Sequence, residues 1–335
     1  QAVQEYYPDA QVHSVPVADG GEGSVDSFLQ AVGGEKVSVP VKGPYFEEVP
    51  AFYGMLPDGV AVIEMAAAAR LPLVGERLHA EQTTTYGVGE LMAHALERGC
   101  KRLVVGLGGS ATNDAGEAFV PVGATLAEVA EIDLSGLHPA LASAELVTMC
   151  DIDNPLCGPL GAAHVFAPQK GADPAMVELL DAGLAHLADV VERCTGRDIR
   201  QLHGAGAAGG MGGGMVAFFG STLQMGIETV LDTVGFDKLL EGADMVFSGE
   251  GKLDAQSLLG KVVIGVARRA KRAGVPLVAV VGDIGDNIEA AYDMGVSAAF
   301  SINRVAVPFR EAKPRSKSDL ALTMDNLMRF CRRMG

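Results

Sequence analysis

The sequence predicts an α/β protein built on mainly parallel sheets, and three observations lead to this fold class. Strands, glycine-rich turns and helices alternate along the chain, which is typical of parallel sheets covered by helices on both faces. Of the 335 residues, 48% are hydrophobic and 20% are charged, a globular composition that excludes a disordered chain. Since a domain takes about 150 residues, this length predicts two domains.

The first predicted unit is a strand, a loop and a short helix. Residues 11–17 are rich in valine and are predicted to form a strand that leads into the loop Asp19–Gly23. Ser24 is expected to cap the following helix, because its hydroxyl can accept a hydrogen bond from the first turn. Gly33 and Gly34 end that helix, since glycine is a helix breaker.

The clearest helix is predicted over residues 88–98, after two further strands at 36–41 and 60–64. Apolar residues recur there every three or four positions, so that one face of the helix is apolar. Gly99 stands where a C-terminal cap is expected. Residues 101–107 then form a predicted strand that leads into a second glycine-rich loop.

The C-terminal third repeats this alternation. A strand (244–248), a long loop (249–260) and a helix that ends near Gly274 are followed by a strand (276–281), a helix (288–292) and a strand (296–302). In the middle of the chain, residues 204–214 hold seven glycines in eleven positions. Composition favours a hinge or linker there, and a phosphate nest is the alternative.

Charge and cysteine content exclude several classes of function. Twenty-six Lys and Arg against 42 Asp and Glu leave a net charge of −16, which argues against nucleic-acid partners and anionic membranes. The five cysteines have no CxxC spacing and favour a reduced, cytoplasmic protein. No apolar run is long enough for a spanning helix, and the first residues do not read as a signal peptide.

Polar loops follow four predicted strands, one of which is a further strand predicted at 148–150. In open parallel sheets, ligands bind at the carboxyl ends of the strands. Single polar residues there are ordinary helix caps, but four such loops together indicate a binding site. The four loops are Asp19–Gly23, Gly108–Gly116, Asp151–Asn154 and Gly249–Asp254.

The loop Gly108–Gly116 is the best candidate for an anion site. Its glycines allow backbone N–H groups to converge on phosphate oxygens at the start of a helix. It is not a Walker loop, because no lysine follows at the required position, and it is not a GxGxxG fingerprint. The alternative interpretation is a tight turn in which Ser110 and Thr112 act as caps.

Carboxylates near an anion loop predict a divalent cation. Glu250 and Asp254 stand in one loop, with Lys261 at the start of the next helix, and Asp151 ends another strand. Such carboxylates hold Mg²⁺ or accept a proton from an alcohol. Helix capping is the alternative, and Lys170, at a turn, is expected to be solvent-facing on burial statistics alone.

Other chemistries have weaker support. The seven histidines lack metal-ligand spacing, which argues against zinc, and Ser110 lacks a GxSxG elbow, which argues against a serine hydrolase. A nucleotide-dependent dehydrogenase stays as an alternative, although it needs a GxGxxG loop after a strand, and no predicted strand here is followed by one. A non-catalytic two-domain protein that binds small anions is the second alternative.

Eight segments together resemble the bacterial glycerate kinase family, the type unrelated to P-loop kinases. Each segment is weak alone, but eight in the family order are specific. They are VPVADGGEGS (15–24), AVIEMAAAARLPLV (61–74), TTTYGVGEL (83–91), GLGGSATNDAG (106–116), CDIDNPLCGPLGAA (150–163), FAPQKGA (166–172), GAGAAGGMG (204–212) and SGEGKLDAQSLLGK (248–261).

The resemblance implies phosphorylation of D-glycerate with ATP and Mg²⁺, with 2-phosphoglycerate favoured as product. It also implies two α/β domains with mainly parallel sheets, one inserted in the other, with a cleft between them. The expected ranges are 1–36 with 222–335 for a Rossmann- or flavodoxin-like domain, and 37–221 for the inserted domain. The expected partners are glycerate and ATP, without nucleic acid or membrane, and a homodimer is an open alternative.

The matching motifs contain seven candidate site residues: Asp19, Asn113, Asp114, Gln169, Lys170, Glu250 and Asp254. The roles of these and of neighbouring residues are inferred from their chemistry and position, not from the resemblance. Asp254, Asp19 and Lys170 are expected to be catalytic, and Glu250 and Asp151 to bind the metal. Substrate binding is expected from Gly20, Gly21, Glu22, Gln169 and Lys261. Cofactor binding is expected from Gly108, Gly109, Ser110, Thr112, Asn113, Asp114, Gly249, Glu250 and Gly251.

Three departures from the family pattern accompany the match. The chain has no segment like the APDSFKGSL that begins such families, so a Lys and a Ser of that segment are not represented. About a dozen residues expected between Leu126 and Ile132 are absent. Ala115 replaces a usual Gly and Ser248 a usual Thr, and neither change removes a charge.

Overall fold

The structure is a computed structural model that describes residues 1–18, 20–114 and 122–334. Its strands are mostly short, as in other α/β proteins. They are β1 (Glu35–Lys42), β2 (Glu48–Leu56), β3 (Val60–Glu64), β4 (Arg102–Gly106), β5 (Glu145–Met149), β6 (Thr222–Gln224), β7 (Val246–Ser248), β8 (Lys252–Leu253), β9 (Leu277–Val281), β10 (Asp283–Ile284) and β11 (Val296–Ser301).

Helices alternate with these strands. In the described part of the chain, no helix is both long and apolar enough to cross a membrane. The helices are α1 (Ala2–Tyr6), α2 (Ser24–Val32), α3 (Ala66–Ala69), α4 (Leu71–Val74), α5 (Tyr86–Glu97), α6 (Ala162–Phe166), α7 (Pro174–Thr195), α8 (Ala207–Phe219), α9 (Gly226–Thr233), α10 (Phe236–Leu239), α11 (Val262–Ala273), α12 (Glu289–Asp293), α13 (Phe309–Ala312) and α14 (Ser316–Met334).

The chain divides into two compact units. The smaller unit contains residues 1–15 and 230–335, and the larger one contains residues 16–229. The larger unit therefore starts earlier than the expected domain boundary at residue 37. The reason is local, because helix α2 packs on strands β1, β2 and β3 of the larger sheet.

The larger unit contains a six-stranded mixed sheet with the order β1-β2-β3-β4-β5-β6. Strands β3 to β6 are parallel, as predicted, whereas β1, β2 and β3 pair antiparallel. Strand β2 was not predicted, because Pro50 and Gly54 interrupt its pattern and both residues are typical of turns. The residues around Pro50 nevertheless pair directly with β1, whose Pro40 lies opposite Pro50.

Two helices cover opposite faces of this sheet. Tyr53 is fully buried, and its hydroxyl lies 3.0 Å from Nδ1 of His94 in helix α5. The next residue, Gly54, faces Val25 of helix α2, whose side chain fills the space that a Cβ would take. Since neighbouring residues of a strand point to opposite faces, α5 and α2 sandwich the sheet.

The smaller unit contains a parallel sheet in the order β11-β9-β7 and a two-stranded parallel ladder of β10 and β8. Val278 and Val280 of β9 pack with Leu327 and Met328 of α14, and helix α1 joins this cluster through its apolar side chains. Helix α11 contacts the same sheet. The predicted helix at 288–292 is confirmed as α12, and the predicted strand at 296–302 as β11.

Two expectations for the N-terminal region are wrong. Residues 11–17, all described, form no strand, because valine-rich segments become strands only where a neighbouring strand offers a ladder. Ser24 is the first residue of helix α2 rather than its cap. Gly23 takes the cap position with φ of 92°, and the Ser24 hydroxyl donates to the carbonyl oxygen of Gly21 instead.

Candidate active site

Two glycine loops meet at the carboxyl end of strand β4 in the larger unit. The N–H of Gly108 donates to the carbonyl oxygen of Gly20 at 3.1 Å. A Cβ on Gly106 would stand 2.4 Å from that oxygen, and a Cβ on Gly108 would stand 2.5 Å from the Cα of Gly21. Only glycine permits this approach. The structure therefore brings together three predicted site residues from loops that are far apart in sequence.

The segment 108–114, called the glycine loop below, is anchored to the segment that follows β3. The N–H of Leu71 donates to the carbonyl oxygen of Gly109, and the N–H of Ala111 donates to that of Ala69. These bonds surround an antiparallel bridge between Arg70 and Ser110. The glycine loop is therefore held in one register against residues 69–71.

Hydrogen bonding inside the protein limits which N–H groups can hold phosphate. The N–H groups of Gly108 and Ala111 have protein acceptors, and the N–H of Thr112 donates to the hydroxyl oxygen of Ser110 at 3.1 Å. The expectation that the whole loop offers its N–H groups to an anion is therefore wrong for these three. Among the described residues, the N–H groups of Gly109 and Ser110 have no protein acceptor.

Lys170 lies beneath the glycine loop, in the short 3-10 helix Pro168–Lys170. Its side chain is buried, and its Nζ donates to the carbonyl oxygen of Thr112 at 2.6 Å and lies 3.5 Å from the hydroxyl of Ser110. Burial lowers the pKa of this amine to about 8, and the nearby Asp114 carboxylate opposes that shift. The solvent-facing alternative for Lys170 is therefore wrong.

Asn113 carries a buried amide that lacks partners in the described part of the chain. The residue is fully buried, yet neither its Oδ1 nor its Nδ2 makes a hydrogen bond there. Leaving such a group unpaired is unfavourable by roughly 1–3 kcal/mol. Such groups are few in native proteins, and ordered water, an ion or a ligand can supply the missing partner.

Asp114 instead stabilises a helix. Its Oδ2 accepts hydrogen bonds from the backbone N–H of Thr85 at 2.6 Å and from the Thr85 hydroxyl at 2.9 Å. Thr85 is the N-cap residue of helix α5. At least one oxygen of this predicted cofactor-binding carboxylate therefore ties the glycine loop to α5.

Glu64, at the end of β3, is a site residue that the sequence analysis missed. Its side chain is buried, and Oε1 accepts the N–H of Val25 at 2.6 Å. Burial raises the pKa of this carboxyl group, while hydrogen bonds from the N–H groups of Val25 and Gly23 oppose the rise. Glu64 thereby binds the start of helix α2. It also positions the preceding loop of Gly20 and Gly21, which packs against the end of β4. The signal for it was a lone glutamate at the end of an apolar strand.

The glycine run at 204–214 is not a linker between domains. It lies inside the larger unit, and most of it forms the start of helix α8. Ala208, Gly209 and Gly210 have positive φ angles, and a Cβ on Gly209 would stand 2.1 Å from the carbonyl oxygen of Thr112. The run is glycine-rich because its backbone packs directly against the glycine loop.

In the smaller unit, the segment 249–261, called the carboxylate loop below, follows strand β7. It was predicted as an unbroken loop, but it contains β8 and the 3-10 helix Ser257–Leu259. The N–H of Gly282 donates to the carbonyl oxygen of Glu250, and the N–H of Asp283 donates to that of Gly251. The loop is therefore fixed against the segment after β9.

The two carboxylates of this loop differ in environment. Oε1 of Glu250 is buried without a hydrogen-bond partner among the described residues. Burial raises the pKa of Glu250, and the neighbouring Ser257 and Lys261 oppose the rise. Asp254 is about one-third exposed; its Oδ1 accepts the N–H of Gln256 at 2.9 Å, and its Oδ2 lies 3.7 Å from Nζ of Lys252.

The remaining predicted residues have varied positions. Asp151 accepts the N–H of Gly226, the first residue of helix α9, at 2.7 Å, so that it caps this helix. Gln169 and Lys261 are exposed. Asp19 lies outside the described residues, as do positions 115 and 116 at the end of the predicted anion loop.

Comparison with known proteins decides the family. The model of the glycerate kinase family matches residues 1–332. The chain belongs to the glycerate kinase family. It is 43% identical over 324 residues to the glycerate kinase of Bacillus subtilis (strain 168), covering 91% of this chain and 85% of that protein.

Further relatives agree with this family assignment. The chain is 41% identical over 317 residues to the glycerate 2-kinase of Escherichia coli (strain K12), covering 89% of this chain and 83% of that protein. A crystal structure from Salmonella typhimurium LT2, described as a glycerate kinase 2, superimposes with a TM-score of 0.88 at 38% identity. That match covers 99% of this chain and 92% of the other. The protein is therefore a kinase with a two-domain α/β fold, and neither a dehydrogenase nor a non-catalytic binding protein.

Proposed function

We propose that this kinase transfers the γ-phosphoryl group of ATP to a hydroxyl group of D-glycerate, with 2-phosphoglycerate as product. The observation that carries the proposal is the glycine loop, with the buried amine of Lys170 beneath it and the unpartnered amide of Asn113 at its end. A kinase of this family needs such a site, because phosphoryl transfer depends on positioning and on electrostatic stabilisation.

The glycine loop is the proposed phosphate site. The N–H groups of Gly109 and Ser110 can donate to phosphate oxygens, and the Asn113 amide can donate one further hydrogen bond. Lys170 holds its amine against the loop through the carbonyl oxygen of Thr112. Its positive charge offsets phosphate charge from beneath the loop, and burial strengthens this effect because water is excluded.

The carboxylate loop is the proposed magnesium site, and the residues present fit that ion. Glu250 has a buried oxygen without a partner among the described residues, and an oxygen ligand is what Mg²⁺ prefers. The described residues contain no group of three His, Cys, Asp or Glu side chains that could hold a metal ion. Mg²⁺ is commonly bound through one or two carboxylates, with water and phosphate oxygens as its other ligands. When bound, the ion neutralises negative charge on the phosphates.

Asp254 is the proposed acceptor of the hydroxyl proton of glycerate. Its side chain is partly exposed, and its Oδ2 lies 3.7 Å from Nζ of Lys252. The Asx turn made by Oδ1 with Gln256 holds the carboxylate in one orientation. A general base with a fixed orientation contributes roughly 10²–10⁴-fold to a rate.

The proposal is tested by incubating the purified protein with ATP, Mg²⁺ and D-glycerate and recording proton-coupled ³¹P spectra. A phosphate on the secondary carbon couples to one proton and gives a doublet, whereas a phosphate on the primary carbon couples to two and gives a triplet. A doublet is expected. L-Glycerate, glycerol and a chelator of Mg²⁺ serve as controls. A triplet would refute the regiochemistry, and the absence of any phosphorylated product would refute the proposed function.

A further inference from the structure

Arg70 is a cation that the proposed phosphate chemistry leaves without a role. It lies between α3 and α4, and its backbone forms the bridge to Ser110 of the glycine loop. Its Nη1 donates to Oε1 of Glu22 at 2.5 Å, in the loop that contacts Gly108 through Gly20. The guanidinium therefore lies where two predicted ligand-binding loops meet within the larger unit.

The guanidinium has unused hydrogen-bonding capacity. A guanidinium carries five N–H donors in a planar fork and accepts no hydrogen bonds. The Nε of Arg70 is buried, and it has no acceptor among the described residues. A buried donor of this kind can find its partner in ordered water, an ion or a ligand when the protein itself supplies none. The edge formed by Nε and its neighbouring Nη matches the two oxygens of a carboxylate.

The ion pair between Arg70 and Glu22 can be exchanged for one between Arg70 and a bound anion. The side chain of Glu22 is 66% exposed and that of Arg70 is 35% exposed. Because an exposed ion pair contributes little, a bound anion can share or replace it at small cost. The nearby Glu22 carboxylate also repels a doubly charged phosphate group more strongly than a singly charged carboxylate. The arrangement therefore favours a carboxylate ligand.

We propose that Arg70 binds the carboxylate of the acid substrate through its Nε–H and an adjacent Nη–H, and that it thereby selects acids over neutral polyols. This inference rests on the proposed function, since that function makes the substrate a hydroxy acid. The bridge to Ser110 holds Arg70 in register with the proposed phosphate site. Arg70 thus sets how far the carboxylate of the substrate lies from the phosphate-binding N–H groups.

The test is a cycle of two proteins and two substrates. The wild type and Arg70→Gln are each assayed with D-glycerate and with D-glyceramide, in which a neutral amide replaces the carboxylate. We expect the variant to raise KM for glycerate about 100-fold with a smaller change in kcat, because a charge-assisted fork is lost. The KM for ATP should stay within about twofold, and kcat/KM for glyceramide should be alike in both proteins.

Two further variants separate binding from folding. Arg70→Lys keeps the charge but loses the fork, and we expect it to recover only a small part of the loss. Arg98→Gln is the matched control, because Arg98 also forms an exposed ion pair with a glutamate, Glu35, on the same unit. It should leave every kinetic constant unchanged. Thermal midpoints of all variants report whether each protein is folded.

Three results would overturn the proposal. Equal losses with glycerate and glyceramide would give Arg70 a structural role only. An increase in KM for ATP without one for glycerate would make it a phosphate ligand. Inactivity of the wild type toward glycerate would refute the proposed function itself, and the wild-type rates alone reveal that outcome.

Discussion

Replacing Lys170 with methionine tests the proposed electrostatics of the glycine loop. Burial lowers the pKa of Lys170 from 10.5 to about 8, so that keeping the buried amine charged costs about 3 kcal/mol at neutral pH. Methionine removes that cost, but it leaves the carbonyl oxygen of Thr112 without its donor, which costs roughly 1–3 kcal/mol. The two terms nearly cancel, so Lys170→Met should unfold at about the same temperature as the wild type near pH 7.

The pH dependence separates these two terms. The folded pKa of Lys170 is lower than the unfolded one, so between about pH 8 and pH 10.5 the unfolded chain binds more protons and the contribution of Lys170 to stability rises with pH. From about pH 7 to pH 9.5, the wild type should gain roughly 2 kcal/mol of unfolding free energy relative to Lys170→Met. Denaturant unfolding of both proteins at several pH values measures this difference, and titrations common to both cancel.

The catalytic rate should depend on the charge of the Lys170 amine. Lys170→Met should lose roughly 10²-fold or more in kcat, and wild-type kcat should fall above about pH 8 as the amine loses its charge. A difference in unfolding free energy that stays flat with pH would show that Lys170 is not a buried cation. A fully active Lys170→Met variant would remove the lysine from the catalytic machinery.

Three further predictions follow from the same loops. Asn113→Ala should lose roughly 10²-fold in kcat/KM without loss of thermal stability, because the amide it removes has no partner in the described part of the chain; normal turnover would make the amide structural. Gly209→Ala should lower the free energy of unfolding by about 2 kcal/mol or more, because its Cβ would stand 2.1 Å from a carbonyl oxygen and its φ is 73°. Gly136→Ala is the control and should be close to neutral in the same denaturant unfolding, because nothing lies within 4 Å of its Cβ. Glu250→Gln should raise the Mg²⁺ concentration required for half-maximal rate, and Asp254→Asn should lower kcat by roughly 10²-fold at saturating Mg²⁺; the reverse pattern would exchange the two proposed roles.

The local pattern of apolar and glycine residues was sufficient to predict those elements that are specified within about a dozen consecutive residues. The apolar periodicity at 88–98 predicted helix α5, observed at Tyr86–Glu97, and the glycine at the end of α11 marked the helix end. The same local reasoning failed at residues 11–17 and at β2. Whether a valine-rich or proline-containing segment becomes a strand depends on a partner strand that is distant in sequence.

The sequence by itself determined the family, the alternation of strands and helices, and the loops at which ligands are expected, because each of these depends on residue order along a short stretch. Tertiary structure alone decided that Lys170 is buried beneath the glycine loop, that Asp114 binds the N-cap residue of helix α5, and that Arg70 lies in register with Ser110. Burial and hydrogen-bond partners depend on segments tens of residues apart. The composition of a turn therefore does not predict the burial or the hydrogen-bond partners of its residues. Burial is nevertheless what changes the pKa of the Lys170 amine and leaves the Asn113 amide without a partner among the described residues.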